Sequence, residues 1–167
     1  LEQQGTYPLP EAQLDRFLFK QVLAYPSLEE ERRIIATHGL RSGQADPAAM
    51  GVSPVADAAW VAAAADTVAQ TRLSPEVVDY VLTLVRATRE TPDLQTGASP
   101  RGAAMLALAS RARAVLEGRD YVIPDDVKAL ALPALRHRVI LSPAAEIDGR
   151  RVEDVIAGLV ERTAAPR

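Results

Sequence analysis

Residues 99–118, SPRGAAMLALASRARAVLEG, carry the pattern that decides the fold. A serine before a proline is typical of a helix start, because the serine side chain caps the first turn and proline at the first helical position gives up no helical hydrogen bond. Gly118 supplies a stop, since glycine readily adopts the conformation that ends a helix. Apolar residues between these points follow helical spacing at Met105, Leu108, Ala109, Ala112 and Leu116. The stretch therefore predicts an amphipathic helix.

Similar signals on both sides predict a four-helix domain over residues 73–167. Ser74-Pro75-Glu76 begins one helix, and its apolar stripe consists of Val77, Val81, Leu84 and Val85. Pro124-Asp125-Asp126 begins a shorter helix, which Pro133 is expected to interrupt. Residues 151–163 predict a last amphipathic helix with apolar residues at Val152, Val155, Ile156, Leu159 and Val160.

The first half of the chain predicts a less regular arrangement. A short helix starts at Pro10 and ends near Arg16, and the apolar stretch FLFKQVL, residues 17–23, predicts a strand. Ser27-Leu28-Glu29-Glu30 is a capping box, which predicts a helix over 27–38. Residues 40–53 have the composition of a linker, and an alanine-rich helix is expected over 56–70.

Three regions follow from this pattern: residues 1–25 with the single strand, a bridging region over 26–72, and the helical domain over 73–167. A single strand leaves its edges unpaired, so the first region is expected to belong to a larger sheet. The chain also opens without an initiator methionine. It is therefore expected to be part of a longer protein.

Composition narrows the classes of function. Hydrophobic residues make up 48% and charged residues 25%, which is typical of a globular chain. Aromatic residues make up only 4%, which favours closely packed helices. The absence of cysteine excludes disulfides and thiolate sites, and two histidines exclude a histidine-rich metal site. A net charge of -3 argues against a dedicated nucleic-acid binder, and no apolar run is long enough to span a membrane.

Three motifs give the chain a specific resemblance. They are EQQGTYPLPEAQLDRF at 2–17, GASPR at 97–101, and GRDYVIPDDV at 118–127 followed by LRHR at 135–138. In order and spacing they resemble MoxR-type AAA+ ATPases over essentially the whole chain. The first is similar to the stretch after the family's sensor-1 asparagine, and the second resembles its sensor-2 motif. Ile123 departs from the pattern, because the family often has Thr or Ser there as a helix cap, a loss worth about 1 kcal/mol.

The resemblance implies a mainly α fold: a four-helix AAA+ lid domain preceded by a short helix–strand remnant of an α/β P-loop ATPase core. It also implies ATP and Mg²⁺ as ligands of the full-length protein. The chain contains no G-x-x-x-x-G-K-[ST] loop, and the family's Walker B acids would likewise lie upstream. Alone, this part is expected to hold no cofactor and no metal and to be inactive.

Arg16 corresponds by resemblance to the arginine finger, which reaches the nucleotide of the neighbouring subunit in a ring. Phosphoryl transfer places charge on the γ-phosphate oxygens, and a guanidinium supplied in trans stabilises that charge. The alternative is an exposed arginine at a helix end that pairs with Asp15 or with the helix dipole. Asp15 itself is interpreted as a local partner of that kind.

Arg101 corresponds by resemblance to sensor 2, which contacts the γ-phosphate and couples its presence to the position of the lid. Ser99 and Pro100 put Arg101 in the first turn of a helix, where a cation opposes the dipole. Such a local conflict is expected at functional sites, and a helix start with a guanidinium suits a phosphate. The alternative is a solvent-exposed arginine. Whether Arg101 acts in its own subunit or on a neighbour stays open.

Arg136 and Arg138 are candidate contacts for nucleotide or for an adjacent subunit, with a solvated helix end as the alternative. The family further implies a homo-oligomeric ring, expected to be a hexamer, and a von Willebrand factor A-domain partner by analogy. Its usual roles are chaperone-like remodelling or metal-cofactor insertion, and a cytoplasmic location is expected, with no nucleic acid and no membrane span. The alternative class is a non-enzymatic helical module that binds a protein or a nucleic acid.

The gene offers the first test of this interpretation. We expect it to encode a strand, a G-x-x-x-x-G-K-[ST] loop and a helix within ~150–200 residues upstream of Leu1, followed by paired acids. Sequencing the upstream reading frame is the measurement. An upstream region without that loop would remove the ATPase interpretation.

Overall fold

The computed structural model describes residues 9–39 and 46–166, and helices dominate these residues. No helix in these ranges is both long enough and apolar enough to cross a membrane. The elements are α1 (Glu11–Leu14), α2 (Leu28–His38), a 3₁₀ turn (Ala48–Met50), α3 (Ala58–Gln70), α4 (Pro75–Glu90), β1 (Leu94–Thr96), α5 (Pro100–Leu116), α6 (Pro124–Leu135), β2 (Ile140–Leu141), α7 (Pro143–Ile147) and α8 (Val152–Arg162).

The described residues fall into two compact units. Residues 9–20 and 65–166 make up the first, and residues 21–39 and 46–64 make up the second. The segment around α1 therefore packs with the helical unit, whereas the sequence-based division placed residues 1–25 apart from it. That division stays a prediction about the domains of the whole protein.

The second unit holds α2, whose start matches the predicted capping box. The Ser27 hydroxyl accepts a hydrogen bond from the Glu30 amide, and the Glu30 carboxylate accepts one from the Ser27 amide at 2.8 Å. This reciprocal pairing satisfies two amide groups that a helix start otherwise leaves open. The predicted helix over 27–38 is confirmed. The linker predicted over 40–53 lies partly outside the described residues.

The core of the first unit lies between α4, α5, α6 and α8. Leu84, Leu106, Leu135 and Ile156, one from each helix, are essentially inaccessible to solvent. Burying large aliphatic side chains of this kind stabilises a fold by about 1.5–3 kcal/mol each. The four helices predicted from the sequence are thus confirmed, and the stripe predicted on α4 is fully buried. The short helix α7 was not predicted.

The stripe predicted on α5 is largely wrong. Leu108 and Leu116 are 52% and 87% exposed. Ala109 is buried as predicted, but the rest of the buried face consists of Gly102, Leu106, Ser110 and Ala114. Alanine occurs all round this helix, so the sequence pattern barely distinguishes one face from another. Small side chains on the buried face allow α5 to approach its neighbours closely. The free energy gained by this close packing outweighs the cost of leaving two leucines exposed.

The strand predicted over residues 17–23 does not form in the structure, where residues 19–27 are neither helix nor strand. A strand needs a partner for its amide and carbonyl groups, and no described strand pairs with this segment. One of its amides is satisfied differently, since Lys20 donates to the carbonyl of Pro133 at 2.9 Å.

Pro133 does not interrupt α6, contrary to the sequence-based expectation, because the helix continues to Leu135. A proline this close to the end of a helix removes only one hydrogen bond. The antiparallel pair β1 and β2, with Leu94 opposite Leu141, was not predicted. Strands of three and two residues are too short to show an alternating pattern.

A buried ion pair replaces the missing hydroxyl cap at the start of α6. The Asp126 carboxylate is 2% exposed, accepts two hydrogen bonds from Arg119 at 2.6 and 2.8 Å, and accepts one from the Ile123 amide. Burial raises the pKa of Asp126, but these hydrogen bonds together with the charges of Arg119 and Arg113 outweigh burial and hold the pKa below its usual value. The ionised carboxylate therefore stabilises the fold.

We expect Asp126→Asn to lower the free energy of unfolding at neutral pH by about 3 kcal/mol, because it leaves Arg119 without its anion. The folded pKa is lowered, so the stabilisation is present above the unfolded value near 4 and is lost as pH falls through the folded value. The difference between wild type and Asp126→Asn should accordingly shrink below about pH 4. Urea unfolding followed by circular dichroism at several pH values measures it.

The matched control is Asp125→Asn on the neighbouring residue. Asp125 pairs with Lys128 at 3.0 Å on the surface, where ion pairs contribute little. Equal losses in the two variants, or a difference that does not change with pH, would contradict the role assigned to Asp126.

Candidate functional site

The loop from Gly97 to Arg101 runs tightly against the end of α4. A Cβ atom on Gly97 would lie 2.6 Å from the carbonyl oxygen of Thr88 and 2.7 Å from the Arg89 amide nitrogen. Backbone atoms cannot yield by that much, so only glycine fits at this position. The first residue of the GASPR motif is therefore explained by packing.

Ala98 is fully buried and is anchored to the same end of α4. Its amide donates to the Thr88 hydroxyl at 2.9 Å, and its carbonyl accepts from Arg89 Nε at 2.7 Å. Both polar groups of this buried peptide are thereby satisfied. The two contacts fix the backbone immediately before the start of α5.

Ser99 and Pro100 then begin α5, as the sequence predicted. The Ser99 hydroxyl accepts a hydrogen bond from the Gly102 amide at 3.1 Å, and Pro100 occupies the first helical position. The cap satisfies one of the amides that a helix start leaves without a partner. Four of the five residues in the motif thus have a structural role.

Arg101 is the fifth residue and has no structural role of this kind. Its side chain is exposed in the first turn of α5, and within the described ranges it makes no hydrogen bond or ion pair. A cation here opposes the helix dipole, and the first turn of α5 has no acidic residue of its own. The guanidinium is available to a ligand.

Asp15 connects the end of α1 to the start of α5. Its two carboxylate oxygens share one hydrogen bond from the Ser99 hydroxyl, at 2.9 and 3.1 Å, and Oδ1 also accepts from Arg138 Nε at 2.9 Å. The sequence suggested a local partner for Asp15, and this interpretation is wrong. Its partners lie 84 and 123 positions away along the chain. We call the group formed by Asp15, Ser99 and Arg138 the Asp15 junction.

Arg138 is a structural residue of this junction. Its side chain is 1% exposed. An arginine has five N–H donors, and all five are used here. Besides Asp15 Oδ1 they reach the carbonyl oxygens of Asp15 at 3.0 Å, Phe17 at 2.6 Å, Leu18 at 3.2 Å and Ala134.

The candidate role of Arg138 as a nucleotide or subunit contact finds no support in these surroundings, since no donor remains for a ligand. Gly102 on α5 makes room for the side chain: a Cβ atom there would lie 2.9 Å from Arg138 Cδ. The sequence missed this arrangement because no local pattern identifies a partner so far along the chain.

Arg136 is also held internally. It forms an ion pair of 3.3 Å with Glu153 on α8, and its side chain is only 13% exposed. The structure therefore separates it from Arg101, although the sequence grouped both as candidate ligand contacts. A contact with nucleotide or subunit stays a prediction for Arg136, and its surroundings favour a packing role.

His137 holds the same segment as Arg138. Its Nε2 lies 2.9 Å from the carbonyl oxygen of Phe17, which can only accept, so we assign the proton to Nε2. Its Nδ1 is buried without a partner. Burial lowers the pKa of His137, with a smaller opposing effect from the Phe17 carbonyl. The neutral ring is thus the form that fits.

Arg16 follows Asp15 directly at the end of α1. Its side chain is exposed, and among the described residues it has no hydrogen-bond or ion-pair partner. Of the two expected alternatives, a pair with Asp15 is not formed, because Asp15 is occupied by Ser99 and Arg138. The other, an exposed arginine at the end of α1 that interacts with the helix dipole, stays open. Arg16 directly follows Asp15 and Arg101 lies two residues after Ser99, so both arginines are close in sequence to the hydrogen-bonded junction.

A cleft of about 210 Å³ lies beside the junction and is lined in part by Glu11, Asp15, Ser99 and Arg138. The guanidinium in its wall is already paired, so the cleft offers a phosphate no free arginine donor. Across the described ranges, no group of three or more His, Cys, Asp or Glu side chains could hold a metal ion. Of the four candidate arginines, Arg16 and Arg101 are the ones whose guanidiniums are exposed and have no partner among the described residues.

Comparison with known proteins identifies the helical unit. Residues 86–159 match the family model of the AAA lid domain. Over 99% of its length the chain is 37% identical to an uncharacterized protein of Bacillus subtilis, YeaC, and over its whole length it is 39% identical to the chaperone MoxR1 of Mycobacterium tuberculosis. These matches cover 50% and 45% of the two relatives, so the chain spans about half of their length.

A solved structure of another protein has the same fold as this chain. The chain superposes over its whole length on 52% of a proposed ATPase from Cytophaga hutchinsonii, with a TM-score of 0.85 and 30% identity. The comparison covers the segment around α1 as well as the helical unit.

The geometry of Arg138 generates a test of the junction. We expect Arg138→Lys to lower the free energy of unfolding by about 2 kcal/mol, because lysine keeps the charge but leaves buried carbonyl and carboxylate oxygens without donors. Urea unfolding measures this loss. The control is Arg101→Lys, the same change at an exposed arginine without a partner, for which little change is expected. Equal stability of the two variants would contradict the structural role of Arg138.

Proposed function

Because the chain belongs to the MoxR family of AAA+ ATPases, we propose that it supplies two arginines that act on ATP in a ring assembled from copies of the whole protein. The single observation that carries the proposal is the contrast among the four candidate arginines. Arg136 and Arg138 are engaged inside the chain, whereas Arg16 and Arg101 are exposed and have no partner in the described structure.

Arg16 is proposed as the finger that stabilises charge on the γ-phosphate oxygens during hydrolysis. A guanidinium supplied to a neighbour's site contributes roughly 10³–10⁵ in rate in comparable enzymes. Its exposed position after the junction supports this role, because a finger must leave its own subunit. An arginine also stays charged and presents a planar fork of donors to the phosphate.

Arg101 is proposed as the residue that senses the γ-phosphate. The start of α5 presents the positive end of a helix dipole, which favours an anion. Arg101 adds a guanidinium in the first turn. Binding of a phosphate there relieves the conflict between the arginine and the dipole, so the ligated state is favoured over the free state.

We further propose that the two arginines serve the same nucleotide, that of the neighbouring subunit. Arg16 is one residue from Asp15, Arg101 is two residues from Ser99, and Asp15 and Ser99 are hydrogen-bonded at 2.9 Å. The proposed finger, Arg16, and the proposed sensor, Arg101, are therefore attached to the same hydrogen-bonded pair of residues. Action of Arg101 in its own subunit is the alternative, and the experiment below separates the two.

The donor set of the described residues fits the phosphates of ATP but not Mg²⁺, because two free guanidiniums are present and no carboxylate cluster accompanies them. We therefore assign no residue of this chain to the metal. Its role in charge neutralisation belongs to residues of the ATPase core in the whole protein.

The role of the whole protein is proposed from its relatives. One relative is named as a chaperone, which supports ATP-driven remodelling of partner proteins. We propose a hexameric ring with a von Willebrand factor A-domain protein as partner, and metal-cofactor insertion as one form of such remodelling. The exposed Arg16 supports the proposed ring, because an arginine finger acts on ATP that is bound by a neighbouring subunit.

Mixed-ring hydrolysis tests the assignment in the whole protein. Arg16→Ala is expected to lower the rate of ATP hydrolysis about 10³-fold or more, because the transition state loses its cation. Adding a Walker A variant, which keeps both arginines but cannot bind ATP, should restore part of the rate. Arg101→Ala should be rescued in the same way if it acts on the neighbour's nucleotide, and should not be rescued if it acts in its own subunit.

The control is Arg86→Ala, which removes an exposed arginine that pairs with Glu90 on α4. It should leave the rate unchanged. Wild-type turnover in Arg16→Ala rings would remove the finger assignment, and loss of ring assembly, checked by light scattering, identifies a variant that fails for another reason.

A further inference from the structure

We propose that Asp15 is a positioning residue: its hydrogen bond with Ser99 fixes Arg16 relative to Arg101, so that both reach one nucleotide in the correct geometry. This inference rests on the proposed function, because it concerns how the two proposed ligand contacts are held. It goes beyond that function by assigning a role in hydrolysis to two residues that touch no nucleotide.

The Ser99 hydroxyl joins two tasks that are usually separate. A hydroxyl has one donor and two acceptor positions. At Ser99 an acceptor position takes the Gly102 amide, which caps α5, and the single donor is directed to the carboxylate of Asp15. The cap of the helix and the anchor of the Arg16 segment are therefore the same side chain.

A matched serine shows that capping does not require this second contact. Ser74 begins α4 in the same way, with an extended backbone, a proline at the first helical position and a hydrogen bond from the Val77 amide. In the described structure its side chain interacts with the carboxylate of Glu76 in the same turn, and no carboxylate from a distant segment reaches it. The contact with Asp15 is thus an addition at the start of α5.

The far side of Asp15 is held rigidly. Arg138 donates to its carboxylate at 2.9 Å and to its backbone carbonyl at 3.0 Å, and Arg138 is itself enclosed by α5 and α6. Asp15 consequently has little freedom to follow a displaced Ser99. A shift of the start of α5 either carries Arg16 with it or breaks the hydrogen bond.

Rate is sensitive to such a displacement. A misplacement of about 1 Å in a positioning group can lower an enzyme's rate about 100-fold. On this proposal the Ser99–Asp15 hydrogen bond raises the hydrolysis rate by placing the two arginines relative to each other. Its effect on the rate should therefore vanish when Arg16 is removed. This dependence distinguishes positioning from a purely structural role.

The test is a double-mutant cycle in the whole protein, measured as single-turnover hydrolysis of radiolabelled ATP over a range of concentrations up to saturation, so that slow rates and KM are both measurable. The variants are Ser99→Ala, the matched cap variant Ser74→Ala, and each of them combined with Arg16→Ala. Ser99→Thr, which keeps the hydroxyl, tests rescue. Ser99→Gly replaces Ser99→Ala if the latter folds poorly, because glycine is tolerated at a helix cap.

We expect Ser99→Ala to lower the maximal rate about tenfold or more with a smaller effect on KM, Ser74→Ala to change the rate less than about twofold, and Ser99→Thr to restore it. In the Arg16→Ala background the two serine variants should hydrolyse ATP equally slowly.

Equal rates for Ser99→Ala and Ser74→Ala with Arg16 present, or an undiminished effect of Ser99→Ala without Arg16, would overturn the inference. Full activity of Arg16→Ala alone would instead overturn the proposed function, and the inference with it.

Discussion

The buried guanidinium of Arg138 constrains the structure around it, because a cation with 1% exposure must find an acceptor for each N–H group. The residues that satisfy it come from the end of α1, from the segment after it and from α6. Gly102 on α5 leaves the space for its side chain. One charge thereby joins the segment with Arg16 to the helical unit with Arg101, and removal of any of these acceptors would leave part of the charge uncompensated.

The GASPR motif combines four residues that form the start of α5 with a fifth, Arg101, that has no structural role there. Gly97 and Ala98 lock the loop against α4, and Ser99 and Pro100 begin α5. Each of these has a local physical reason. Arg101 has none within the described residues, and its charge opposes the dipole of its helix. A residue that costs stability in an otherwise well-satisfied loop is explained best by an interaction outside the described residues.

The sequence predicted those features that depend on neighbours along the chain. Helix starts at Ser27, Ser74 and Ser99 were predictable because caps act over three residues, and the stripe of α4 was predictable because branched side chains recur at helical spacing. The buried face of α5 was not, since alanines give little contrast between faces. The pairing of Asp15 with Arg138 was also not predictable, because the contact spans 123 positions and neither residue differs locally from a surface charge.

Electrostatics at the junction explain why two free arginines can be placed so close to one helix start. The carboxylate of Asp15 receives the Ser99 hydroxyl at the positive end of α5, where an anion is favoured, and so takes the place of the first-turn acids that α4, α6 and α8 carry. The same carboxylate neutralises Arg138. Arg16 and Arg101 have no acidic partner among the described residues, and with Asp15 and Arg138 cancelling each other, these two cations outnumber the one remaining acid of the cleft, Glu11. Such an excess of positive charge attracts a polyphosphate, and the attraction acts before either arginine makes a contact.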